Sequence, residues 1–550
     1  MSHLAEGLHS KLVSKYKFMK RALLTFSLIF VLFAHSTAQD AFGSSIELIP
    51  LTIPEVPGIH SYAYGQHDGK WLVIGGRLDG LHRRQPFAAF PADQNNTDIY
   101  VIDPNTQQFW TASLDQLGVG LKEHLQSTNM NFTQVADTLY IAGGYGFASS
   151  ADDHITQPKL ATIIVSSTID AVINGTSIAP LFNQITDDHF AVCGGHLAFL
   201  NGYFYLVGGH RFDGNYNPMG NPTYTQTYSN EIRKFKVSNS DLLSYTDYSA
   251  LSDEVHLHRR DYNLLAQVFP DGTEGFTISS GVFQVDQDLP YLYPVDITET
   301  GYNPVTEFNQ YLSNYHCGTA QLFDAANNQM HMLFFGGMSQ FYSTNGTIIQ
   351  DDLVPFVKTI SRLSRFADGS LHEFQLPIEM PSLKGASAEF IINSEIAQLE
   401  SGVILLNALE GESILLGHIY GGIQSSTLNP FNANQLTNTS ADPTIYEVWL
   451  TPDQSNPIFE VEGTHELSVS VYPNPADHAI TIAYELAEAA EVHYYVTNAL
   501  GQIIQKGTFQ DGVGAKTHLI SLQRDLTSGM YQLTIVANDV YYATQKFHKK

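Results

Sequence analysis

Short apolar runs recur between residues 46 and 455, and each ends in a pair of small residues. The clearest are Trp71-Leu-Val-Ile-Gly75-Gly76, Leu139-Tyr-Ile-Ala-Gly143-Gly144, Phe204-Tyr-Leu-Val-Gly208-Gly209 and Met332-Leu-Phe-Phe-Gly336-Gly337. Phe276-Thr-Ile-Ser-Ser280-Gly281 and Gly417-His-Ile-Tyr-Gly421-Gly422 complete the series in weaker form. From 75 to 143, 208, 280, 336 and 421 the steps are 68, 65, 72, 56 and 85 residues. That spacing is too long for a hairpin and suits a four-stranded sheet with generous loops, so the pattern predicts six such sheets. The first copy shows a whole unit: Ser61-Tyr-Ala-Tyr-Gly65 as inner strand, Leu72–Gly76 as second, Asp98–Asp103 as third, and a fourth beginning at Gln108-Phe-Trp110. Third-strand counterparts stand at Asn230–Val237 and Thr444–Leu450.

The ends of this region are complementary. The sixth copy runs into Thr451-Pro-Asp-Gln without a fourth strand, whereas Ile46–Leu51 is a strand without a sheet. Joining them closes a ring and pairs edges that would otherwise invite aggregation. A diglycine after the second strand, with Tyr and Trp at spaced positions behind it, resembles the kelch repeat. The resemblance implies an all-β chain: a six-bladed kelch-like β-propeller over residues 39–455, closed by an N-terminal strand. The glycines Gly75, Gly76, Gly143, Gly144, Gly208, Gly209, Gly336, Gly337, Gly421 and Gly422 are then structural, placed where backbones approach closely.

After a linker at 456–465 the period changes. Alternating strands without diglycine fill residues 466–550, among them Ala479–Tyr484, Val492–Val496 and Gly529–Val536, and read as a small Ig-like β-sandwich. Tyr472-Pro473-Asn474-Pro475-Ala476, Leu500-Gly501-Gln502, Leu526-Thr-Ser-Gly529-Met-Tyr531 and the basic end Lys546-Phe-His-Lys-Lys550 closely resemble the type A sorting domain of the type IX secretion system. The resemblance implies handling by that machinery through Tyr472, Pro473, Asn474, Pro475, Gly501, Gly529 and Tyr531. It further implies passage across the outer membrane of a Bacteroidota-type bacterium, then attachment to the surface or release.

The N-terminus carries a matching address. Lys20 and Arg21 precede a thirteen-residue apolar run, Ala22–Ala34, and Ser36-Thr37-Ala38 offers a cleavage site, so residues 1–38 read as a signal peptide, with Met19 as a second candidate start. The run is too short to span a membrane. Its removal takes five basic residues and one acid and shifts the net charge from −28 to −32. Such a body has no sequence-independent grip on nucleic acid or anionic lipid. Charged residues make up only 15%, aromatics 12%, and 42 glycines are present, a composition of strands and turns. Two cysteines cannot form a disulfide scaffold or a cluster site; Cys193 and Cys317, each before a Gly, read as small-residue packing.

Motifs for catalysis are missing: no Gly-x-Ser-x-Gly, no His-Glu-x-x-His, no phosphate-binding loop and no Cys-x-x-Cys. No cofactor and no metal site is expected. Position supplies the remaining clue, because the loops entering each inner strand and those after each diglycine should meet on one face. They hold His60, Arg77, Arg83, Arg84, His189, His210, Arg211, Arg259, Arg260, His316 and Lys384, beside Asp79, Asp187, Asp188, Asp213 and Asp261. Seven Lys and Arg on one rim of an acidic protein suit a carboxylate- or sulfate-bearing ligand, with His60, Arg77, His210, Arg211, Arg259, Arg260, His316 and Lys384 as the candidate grip. Salt bridges between long loops are the plainer alternative. The loops Gly76–Asn96 and Gly209–Asn230 read as strand-free binding surface, and Tyr216, Tyr224 and Tyr228 offer planes for sugar rings. Two functions follow: a non-catalytic surface or secreted binding protein, for an acidic glycan or a protein, or an enzyme on the same propeller acting on an acidic sugar, a mutarotase or lyase. The enzyme would draw its acid and base from His189 with Arg259 or Arg260. Side chains converging in a deep pocket favour the enzyme; side chains paired off with the aspartates favour binding.

Overall fold

Strand pairing follows the sequence period closely. The computed structural model describes residues 42–550 apart from 219–222, 240–241, 345–346, 453–458, 462–466, 500–501, 524–525 and 539–540. The expected signal peptide and Gly501 therefore lie outside the described residues. In the first sheet Ala63–His67, Lys70–Ile74, Asp98–Asp103 and Gln108–Ser113 pair in order, all antiparallel. Its opening hairpin turns on Asp68 and Gly69, with φ 48° and 72°, the left-handed pair that matches strand twist in a two-residue turn. Five further sheets contain the inner strands Asn131–Val135, His196–Leu200, Asn263–Val268, Gly318–Asp324 and Leu383–Ile392, the fourth of these also pairing in parallel with Ile404–Leu405. The sixth is completed from the other end of the chain. Ser44–Leu51 lies antiparallel to Ile445–Pro452, with Ile46 opposite Leu450 and Leu51 opposite Ile445.

Cores form between neighbouring sheets. Leu72, Ile74, Ile99 and Val101 of the first sheet meet Leu139, Ile141, Ala161 and Ile163 of the second, under the helix Val165–Asn174. Fully burying one such side chain contributes about 1.5–3 kcal/mol. At the diglycines the backbones come closer than any side chain allows. A Cβ on Gly143 (φ 68°) would stand 1.8 Å from the Val192 carbonyl oxygen, and one on Gly421 (φ 71°) 2.2 Å from that of Ile59.

That approach serves a repeated hydrogen bond. The second glycine of each pair donates its N–H to a carbonyl in the lead-in loop of the next copy: Gly76 to Ser127, Gly144 to Val192, Gly209 to Arg259, Gly281 to Asn314, Gly337 to Lys384 and Gly422 to Ile59, at 2.8–3.1 Å. The last of these joins the sixth copy to the first. A second cycle runs inside the first. Asn129 donates to Ser61, Gly194 to Asn129, Asp261 to Gly194, His316 to Asp261, Ser387 to His316 and Ser61 to Ser387, backbone to backbone at 2.7–3.1 Å. Six residues, one from each copy, thus form an unbroken ring of amides, five of them just before an inner strand and Ser387 within Leu383–Ile392.

Several expectations need correction. The loop Gly209–Asn230 has strands of its own, His210–Asn215 paired with Thr223–Tyr228. Inside the stretch read as linker, Phe459–Val461 pairs with Glu373–Gln375 at the outer edge of the fifth sheet. Toward the C-terminus, Val469–Tyr472, Ala479–Leu486 and Gly514–Ser521 make one sheet, and Ile503–Asp511, Ala490–Thr497, Gly529–Ala537 and Tyr541–Lys549 another. Both contribute to one core around Ile480, Ile482, Val492, Leu533, Ile535 and Phe547. Among the described residues no helix is long and apolar enough to cross a membrane.

Candidate functional site

The bridges His60–Arg77, Cys193–His210 and Arg260–Val282 bring each lead-in loop against the loop after its own diglycine. Of the expected rim residues, His60 and Arg77 are thereby paired, and His210 and Arg260 are held in the same kind of bridge. Four of the seven expected rim cations are already matched with carboxylates. Arg77, 1% exposed, lays a fork on the Asp79 carboxylate at 2.8 Å twice and donates to Asn95 Oδ1. Arg211 bonds Asp213 at 2.7 Å and Asp188 at 3.2 Å. Arg260 bonds Asp261 and the Tyr228 hydroxyl. Lys384 Nζ lies 2.6 Å from Asp442 and 2.7 Å from the Tyr446 hydroxyl.

Arg259 is a different case. It is 0% exposed, donates to the carbonyls of His256, Ser280 and Tyr293 at 2.6–2.8 Å, and sits between the Tyr291 and Tyr293 rings. Its position in the chain is a rim position, but its guanidinium turns inward to these backbone acceptors. It cannot grip a ligand. His60 and His210 are buried too; burial lowers the first to about 4 and the second well below its usual range. His189 contacts Asp187 at 2.9 Å and the Tyr245 hydroxyl at 3.0 Å, so it forms no acid/base set with Arg259 or Arg260. Cys193 and Cys317 are free and buried, and burial pushes both thiols up to about 12.

Two features escaped sequence reasoning. One is an aromatic cluster above the first three sheets. His82 stacks on Phe90 at 4.8 Å, Tyr216 meets the His82 edge at 4.6 Å, and Tyr224 lies over Phe212 at 4.5 Å, parallel to Tyr216 at 6.0 Å. His82, Phe90, Tyr216 and Tyr224 are half-buried, and Phe87, three residues before Phe90 in the same loop, is 89% exposed. The three tyrosines named from sequence divide here: Tyr216 and Tyr224 join this cluster, while Tyr228 stacks on His258 at 3.7 Å.

The other is the axis. A cavity of about 70 Å³ is lined by the amide-ring residues Ser61, Asn129, Gly194, Asp261 and His316, with Tyr62, His196 and Glu389. His316 Nε2 stands 3.5 Å from Glu389 Oε1, and the His196 and His316 rings are 5.2 Å apart. Burial lowers His316 to about 3 and His196 to about 4, and raises the Glu389 carboxyl well above the carboxylate range. The two imidazoles are therefore neutral at physiological pH, and Glu389 is driven toward its protonated form. His316 was named from sequence; His196 and Glu389 were not. Each lies two residues past its ring residue, Gly194 and Ser387, an offset visible only once the ring register is known.

Comparisons with known proteins bear on the C-terminus. Residues 470–550 match the family described as the secretion system C-terminal sorting domain. The chain is thus an exported protein, handled by the type IX secretion machinery and destined for secretion and the cell surface. No curated protein matches it. Among solved structures it resembles a fungal alcohol oxidase of the AA5 family in complex with copper, at 12% identity and TM-score 0.35 over 92% of this chain and 100% of that one. It also resembles YjhT, at 11% identity and TM-score 0.42 over 74% and 99%. Likenesses of this size assign no activity.

Proposed function

We propose that residues 39–455 form a closed six-bladed kelch-type propeller and residues 466–550 an Ig-like sorting sandwich. The propeller acts outside the cell as a non-catalytic carbohydrate-binding protein. Closure is supported by the two six-membered cycles of backbone hydrogen bonds and by the strand Ser44–Leu51 beside Ile445–Pro452. Binding rather than catalysis is supported by the scatter of His189, Arg259 and Arg260 among unrelated partners.

The grip is aromatic, not cationic. Four of the seven rim cations already hold a carboxylate and Arg259 holds carbonyls, so the rim has little charge left for an acidic glycan. One observation carries the reading: His82, Phe90, Tyr216 and Tyr224 stack into one cluster that stays only half-buried, and Phe87, three residues before Phe90, is exposed. Such a patch on a soluble protein marks an interaction site, and flat amphipathic rings suit the apolar face of a pyranose. A glycan array probed with the exported chain tests it. Binding to neutral glycans, weakened at least tenfold by Tyr216→Ala with Tyr224→Ala, is expected; no glycan binding, or binding indifferent to the pair, would overturn the reading.

A further inference from the structure

The axial channel is built as a site in its own right. Below the amide ring the small cavity adjoins a second one of about 470 Å³, which shares Phe132 and His196 as walls. Counting five residues along each inner strand from its ring residue gives Gln66, Gln134, Phe199, Ala266, Gln321 and Ile392, all of which line the larger cavity. Counting three gives Tyr64, Phe132, Leu197 and Leu264, again in its wall. The channel therefore has an aromatic and apolar layer, an amide layer, and a polar floor under the ring.

Charge selects what the floor accepts. Among the described residues no Lys or Arg lines either cavity, while Asp261, Glu389 and Glu400 stand in the walls. An anionic ligand would be desolvated against carboxyls with no counter-cation, which is costly. A cation finds no free fixed charge at the floor either, because Asp261 already holds Arg260. Hydroxyl groups do find partners. His196 Nε2 must be the protonated nitrogen, since it lies 2.6 Å from the Tyr262 carbonyl oxygen, an acceptor. That leaves Nδ1 as a lone-pair acceptor, and no described residue donates to it. The Glu389 carboxyl accepts no hydrogen bond among the described residues and stands 3.5 Å from His316 Nε2. A cavity of this size that brings convergent polar groups together with aromatic walls is the usual form of a small-molecule site.

We propose that this channel is a second binding site, for an uncharged polyhydroxylated molecule the size of a free hexose. His196 and Glu389 hold its hydroxyls at the floor, and the amides of Gln66 and Gln321 hold it at the wall. It is separate from the aromatic patch, none of whose residues lines either cavity, and stands whether or not that patch binds glycans.

The test is titration calorimetry of the full exported chain carrying Tyr216→Ala and Tyr224→Ala, so that the outer patch does not contribute. The probes are glucose, galactose and N-acetylglucosamine against glucuronate and glucosamine. Saturable binding of at least one neutral sugar is expected, at least tenfold tighter than either charged one. Glu389→Gln, of the same size, should weaken it about tenfold, and so should Gln321→Ala from the opposite layer. Thermal melting midpoints show whether each variant is folded. No binding of any neutral sugar, equal binding of glucuronate, or folded variants with unchanged affinity would overturn the proposal.

Discussion

At the scale of single residues, the diglycines show how close approach rather than chemistry dictates side-chain identity. Gly143 is both left-handed and in contact with the Val192 carbonyl, whereas Gly175, also left-handed (φ 65°) at the end of the helix Val165–Asn174, has open space where a Cβ would go. Gly175→Ala carries only backbone strain and should cost about 1 kcal/mol. Gly143→Ala adds a clash with backbone that cannot move without parting two sheets, and should cost about 3 kcal/mol or more. Urea unfolding of both variants checks the difference; equal losses would mean that the contact with Val192 carries no energy. At the same scale, sequence reasoning failed on direction. It could place Arg259 in a lead-in loop but could not see that three backbone carbonyls would draw its guanidinium inward. Nor could it pair Arg77 with Asp79 two residues on, because loop conformation decides whether such neighbours meet.

At the scale of elements, the apolar runs ending in Gly-Gly were legible because a buried strand and a left-handed turn each leave a compositional mark. The third strands observed at Glu231–Ser238 and Ile445–Pro452 fall within two residues of those read from sequence. The hairpin His210–Asn215/Thr223–Tyr228 was not legible, since its outward face is polar and its pattern breaks at Gly214. Phe459–Val461 was hidden for another reason: three residues make no period, and the edge of the fifth sheet supplies the pairing. In the sorting sandwich, the Tyr472–Pro475 motif is held through one side chain. Asn474 Nδ2 donates to the Lys546 carbonyl at 3.2 Å, and its Oδ1 accepts from the His548 N–H at 2.9 Å, tying the motif to the basic last strand. Asn474→Ala should lower the stability of the sandwich by about 1 kcal/mol and reduce the amount of chain exported. Export at the unaltered level, with the sandwich destabilised, would separate the motif's packing role from its sorting role.

At the scale of the whole molecule, the proposed ring of six sheets rests on two cycles of amide hydrogen bonds and one borrowed strand. Consecutive sheets could be inferred from the repeat, and the lone strand at Ile46–Leu51 pointed to closure. The amide ring left no mark in composition, for Ser61, Asn129, Gly194, Asp261, His316 and Ser387 share no side-chain type. The sorting sandwich rests against the fourth copy, where Tyr495 and Lys506 bond Asp286 at 2.5 and 2.6 Å and the Ile503 N–H bonds Glu254. Closure remains the claim on which the axis, the channel and the face above it all depend. Ile49 and Glu447 stand directly opposite each other in the closing strand pair, and both reach the surface. With Ile49→Cys and Glu447→Cys introduced together, mass spectrometry of oxidised, digested protein should find the 49–447 disulfide in nearly every folded molecule. A folded protein in which those two cysteines stay unlinked would show that the ends of the chain do not meet.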